Sequence, residues 1–174
     1  MSAYQEQKRT KPPIDVLAQA YLTGETQAKL MAFVAFLREN RMTPQWGSTN
    51  SYNLSFKNRR VCIIKIEKDS YQLWLNTQYN DEFDACFQEA DEETRQYLRD
   101  RIQYCFGCGS CKPGIDREIL GVACKGACFN PVLRMTCPDE KQLELARHLV
   151  LLRRAAIREG KAPRVTYIAA SKRV

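Results

Sequence analysis

Histidine is almost missing from this chain: His148 stands alone among 174 residues. That excludes a metal site built from two cysteines and two histidines. No apolar run approaches the roughly 20 residues of a membrane span. Residues 1–13 are hydrophilic, end in Pro12-Pro13, and lack the apolar stretch of a secretory signal. The expectation is a cytoplasmic protein with no membrane partner. Nucleophile elbow, phosphate loop and His–carboxylate metal motif are absent too, so no ordinary enzyme active site is visible. Gly107-x-Gly109 is too short for a nucleotide fingerprint and belongs to a cysteine-rich turn.

What is present is ordinary globular composition, with 44% apolar and 27% charged residues. The length suits one domain that buries a core without staples. The net charge of +7 is uneven. From residue 153 to 174 stand seven basic residues (Arg153, Arg154, Arg158, Lys161, Arg164, Lys172 and Arg173) against the single acid Glu159. A basic end of this kind attracts nucleic acid by counterion release. It equally fits a solvated helix terminus followed by a mobile tail.

Periodicity gives an α+β fold. Apolar residues at helical spacing mark residues 14–21 and 26–40, with Thr26 as the expected N-cap. Residues 52–56, 61–66 and 71–75 alternate or are β-branched, and short polar turns join them into an antiparallel meander. A helical region follows from Asp81, with Phe83, Cys86, Phe87, Tyr97, Leu98 and Ile102 expected inside and a break near residues 89–93. Further strands are expected at 117–122 and 132–135. A last helix starts at Pro138, buries Leu143, Ala146, Leu149, Val150 and Ile157, and stops at Gly160. His148, in the middle of this helix between Arg147 and Leu149, is expected at the surface or as a satisfied structural residue. The organisation expected is a flexible arm over 1–13, a single domain over 14–160 with helices on one sheet face, and a flexible basic tail over 161–174.

Eight cysteines are many for a chain expected in a reducing compartment. Cys62 and Cys86 sit alone in apolar segments and are expected as small core residues. The other six lie between 105 and 137. Cys105-Phe106-Gly107-Cys108-Gly109-Ser110-Cys111 spells C-x2-C-x2-C. Thiolates two residues apart wrap one metal because a tight turn, helped by Gly107 and Gly109, carries both sulfurs to one point. A tetrahedral zinc site needs a fourth sulfur, for which Cys124 and Cys128 both qualify. The rivals are an iron–sulfur cluster, whose cysteine–proline ending Cys137-Pro138 matches at a distance, and redox-active thiols. The leading function is a non-catalytic zinc-binding module with a protein or small-molecule partner. An iron–sulfur or thiol redox protein and a nucleic-acid binder acting through the basic tail are the alternatives.

From about Lys29 to Ile157 the chain resembles small uncharacterised cysteine-rich proteins of anaerobic Gram-positive bacteria. The residues that carry it are Cys105-x2-Cys108-x2-Cys111-x-Pro113-Gly114, Ile119-Leu120-Gly121, Cys128, Pro138-Asp139 and the Leu-rich helix ending near Leu152-Arg153. The resemblance implies a cysteine-only metal knuckle followed by a strand and a closing helix; the fold expected has that knuckle joined to the strand pair at 117–122 and 132–135 and to the C-terminal helix. The resemblance favours Cys128 over Cys124, which is additional here, and implies that Cys137 is a helix-cap position, not a ligand. The first half is similar in layout to frataxin-like small domains, without their acidic iron-binding face.

Overall fold

Alternation along residues 45–76 becomes strand pairing. A computed structural model describes residues 3–107 and 113–162 of the chain. It opens with three helices, α1 (Ala3–Thr10), α2 (Ile14–Tyr21) and α3 (Gly24–Glu39). Strands β1 (Gln45–Ser48), β2 (Ser51–Phe56), β3 (Arg59–Glu67) and β4 (Ser70–Asn76) follow as an antiparallel meander. Helices α4 (Asp81–Phe87) and α5 (Glu92–Arg99) come next, then β5 (Ile115–Ile119), β6 (Val122–Ala127), β7 (Val132–Thr136) and α6 (Glu140–Arg158). Among the described residues the main sheet has the order β1-β2-β3-β4-β7, while β5 and β6 form a separate hairpin.

Cross-strand rows explain the core. Tyr52, Ile64, Leu73 and Met135 face one another across β2, β3, β4 and β7, and Leu54, Cys62, Leu75 and Leu133 form the next row. All eight are buried. Helices α2 and α6 pack on this face, and α3 packs against both. The five residues of α6 expected to face inward are all buried. No helix among the described residues is long and apolar enough to cross a membrane.

Several expectations are corrected. The segment over 1–13 is not simply an arm: α1 docks through Gln7, which is 8% exposed. Its amide donates to Asn50 Oδ1 at 2.6 Å, and its Oε1 accepts the Asn50 N–H at 2.8 Å, fastening the turn between β1 and β2. Thr23, not Thr26, precedes α3. Cys86 is exposed on α4. The strand expected over 117–122 is a hairpin, because Leu120 (φ 49°) and Gly121 (φ 80°) are both left-handed, as a two-residue turn of matching twist requires. It therefore does not pair with β7, which joins the meander beside β4. Helix α6 begins at Glu140, not Pro138, and its cap is Asp139, not Cys137. Asp139 accepts the Gln142 N–H at 2.8 Å, and Gln142 Oε1 accepts the Asp139 N–H in return. Arg153, expected at the start of a solvated basic end, is 2% exposed and donates to Gln78 Oε1 at 3.0 Å.

Gly160 (φ 76°) ends α6 as expected: its N–H reaches Ile157 O and the Lys161 N–H reaches Ala156 O at 2.9 Å. Structure continues two residues beyond. Ala162 is 4% exposed and its carbonyl accepts from Arg59, while Lys161 pairs with Glu82 at 2.7 Å. The rest of the expected tail, residues 163–174, lies outside the described residues. A chain ending at Ala162 should therefore melt measurably higher than one ending at Gly160. Equal melting temperatures in a thermal scan would contradict these contacts.

Candidate metal centre

The cysteine region is built on a short antiparallel pairing that extends the hairpin. Tyr104 bridges to Ala127, the Cys105 N–H donates to Gly126 O at 2.8 Å, and the Cys128 N–H donates to Gln103 O at 2.7 Å. This register sets Tyr104 and Ala127 on one face. Cys105 and Cys128 are diagonal neighbours on the other, at a spacing of roughly 7–8 Å.

The chain leaving Cys105 comes back to its starting point at Gly114. A Cβ at Gly114 would lie 2.6 Å from Gly126 O and 2.8 Å from Cys105 Cβ. Three backbone stretches thus meet at the base of the loop between Cys105 and Gly114. The turn begins with Gly107 (φ 69°), whose N–H donates to Cys105 Sγ at 3.4 Å. Cys108, Gly109 and Cys111 lie outside the described residues. Among the described residues, no group of three or more histidine, cysteine, aspartate or glutamate side chains converges as a metal site. Of the four expected ligands, only Cys105 and Cys128 are described.

The two candidates for a fourth sulfur have different surroundings. Cys124 is 3% exposed. Its Sγ receives the Tyr104 hydroxyl at 3.8 Å and donates to Val122 O at 3.4 Å, which occupies its proton. Cys128 is half-buried. Both thiols act on the buried Tyr79 hydroxyl, which desolvation above all pushes up to about 12. Cys137 begins the connection after β7, and its N–H donates to Tyr71 O. The opposite end of that strand, Val132, is the one held by Gln103, so roughly 16 Å of strand separates Cys137 from the cysteine turn. Cys62 is buried in the core, where burial pushes its thiol up to about 12.

Supporting residues escaped the sequence reading. The Gln103 side chain donates to Val132 O at 2.7 Å and accepts the Val132 N–H at 2.9 Å, tying the pairing to the main sheet. Asp116 accepts the Gly126 N–H at 2.7 Å. Arg117 reaches Tyr79 O at 2.8 Å and Asp84 at 2.5 Å, bracing the hairpin on α4. Only the folded geometry gives these polar residues a partner, so no local pattern marks them. His148 is exposed on α6, 4.0 Å from Glu144. The acidic pairs near residues 92 and 139 serve helix starts: Asp91 caps α5 by accepting the Thr94 N–H, which with Lys141 holds its carboxyl down at about 2.

A scan of protein-family models, a search of curated proteins and a search of solved structures each find no match to this chain.

Proposed function

We propose that the chain is a non-catalytic binding module whose second half is pinned by one zinc ion on Cys105, Cys108, Cys111 and Cys128. The observation that carries this reading is the closure of the cysteine loop on itself, with Cys105, Gly114 and Gly126 in mutual contact and Cys128 on the face of Cys105. Strand pairing already sets Cys105 and Cys128 on one face, and the C-x2-C-x2-C spacing would let Cys108 and Cys111 join them on one metal. Zinc suits four thiolates because it imposes no d-electron geometry. Cys124 is the alternative fourth ligand, but using it would cost the bond its S–H donates to Val122 O. Iron–sulfur chemistry draws less support, since the cysteine–proline step at 137–138 lies at the far end of β7.

Metal analysis of protein purified without oxygen or added metal tests the reading. The expected result is a colourless protein carrying about one zinc per chain. A brown protein with iron and acid-labile sulfide would replace it with a cluster protein. Metal-free protein with a reversible thiol–disulfide couple would replace it with a redox role.

A further inference from the structure

The sheet has a second face, turned away from α2, α3 and α6. Across it runs the row Asn53, Ile63, Trp74 and Arg134, contributed by β2, β3, β4 and β7 in turn. The neighbouring row runs from Ser51 through Lys65 and Gln72 to Thr136. At about 4.8 Å between strands, each row spans roughly 14 Å.

Trp74 is the centre of this face and is fixed there. Lys65 Nζ lies 3.7 Å and the Arg134 guanidinium carbon 4.1 Å from the ring centroid. The indole N–H donates to Gln72 Oε1 at 2.9 Å, and Gln72 in turn donates to Glu67 at 3.2 Å. Two cations and no acid occupy the two rows. Arg134 is exposed, whereas Trp74, Ile63 and Lys65 are half-buried. Trp74 stands on the sheet face opposite the one on which α2 and α6 pack, so it contributes nothing to the core there.

We propose that this face binds single-stranded nucleic acid. The exposed Arg134 guanidinium, its carbon 4.1 Å from the centroid of the Trp74 ring, offers a platform for an unstacked base. Lys65 and Arg134 supply the charge that phosphates seek. A duplex keeps its bases stacked and presents grooves, which a broad sheet face does not enter. An acidic peptide would use the cations but not the guanidinium–indole pair beside them. The inference is independent of the zinc reading, since neither row contains a cysteine.

The test is binding of a labelled single-stranded oligouridine to the full chain, followed by anisotropy and tryptophan fluorescence. Wild-type protein should bind, with fluorescence quenching and an affinity that falls as salt rises. Arg134→Glu should weaken binding by about tenfold or more, as loss of one stacked, charged contact implies, with zinc content unchanged. Arg134→Lys should fall between the two. Should Arg134→Glu fail to fold, Lys65→Gln carries the same expectation of weakened binding. The double variant Lys172→Glu/Arg173→Glu should bind like wild type. Absence of binding at low salt would overturn the proposal, as would equal affinity for a duplex of the same length. Displacement by polyglutamate as effective as by unlabelled RNA, or a loss confined to the tail variant, would do so as well.

Discussion

Changing Gly114 to alanine is expected to open the cysteine turn. The new methyl group would stand 2.6 Å from Gly126 O, 2.7 Å from its carbonyl carbon and 2.8 Å from Cys105 Cβ. None of these atoms is the end of a flexible side chain, so relief requires moving backbone. Overpacking of this kind costs roughly 1–3 kcal/mol even in adaptable cores. Here the displaced backbone carries the bond from Cys105 N–H to Gly126 O, so zinc affinity should fall together with thermal stability. Gly47 is the control. A Cβ there would meet Asn53 Nδ2 at 2.2 Å, but that amide is a side-chain terminus that can rotate away. Gly114→Ala should therefore lower both melting temperature and bound zinc, while Gly47→Ala leaves zinc binding intact. Wild-type metal retention in Gly114→Ala would mean that the contact at the loop base does not position the sulfurs.

Removing zinc with a chelator should melt one part of the molecule and spare the rest. The hairpin of β5 and β6 buries little of its own: Ile119, Cys124 and Ala127 are its buried apolar residues. The loop between Cys111 and Cys128 spans 16 intervening residues. Structural zinc in small peptides contributes roughly 10–16 kcal/mol of apparent binding energy, ample to decide whether such a segment is ordered. The meander is different, since two full cross-strand rows lie under α2 and α6. Amide exchange should accelerate in β5, β6 and residues 103–107 after chelation, while β2, β3 and β4 keep their protection. Unchanged exchange in the hairpin would show that it holds without metal. Collapse of protection throughout would show that the two parts fold as one cooperative unit.

Much of the scaffold was legible because its signals are local. Period-two alternation marked β2, β3 and β4, and the helical spacing of Leu143, Ala146, Leu149, Val150 and Ile157 marked the buried side of α6. The failures have physical causes. Ile119-Leu120-Gly121-Val122 looks continuous, since nothing in a leucine announces a left-handed backbone at position 120. Gln7 is polar and reads as solvent-exposed, but a reciprocal pair of hydrogen bonds to Asn50 makes its burial tolerable. Arg153 counts as one more charge in a basic end until α6 is seen to carry it beneath the surface beside Gln78. At the candidate site, cysteine spacing pointed to residues 105–111, of which 108–111 lie outside the described residues. The contact of Gly114 with Gly126 and the clamp of Gln103 on Val132 join residues distant in sequence, so spacing alone cannot disclose them.

Zinc content across a set of single cysteine variants tests the central claim most directly. Cys108→Ser and Cys128→Ser should each carry well below one zinc per chain, because a tetrahedral thiolate site loses a bond in either case. Cys62→Ser, altered inside the core, and Cys124→Ser, altered on the Tyr104 side of the pairing, should keep about the wild-type content. Loss in Cys124→Ser with retention in Cys128→Ser would move the fourth bond to the other candidate. Equal zinc in Cys108→Ser and Cys62→Ser would contradict the account.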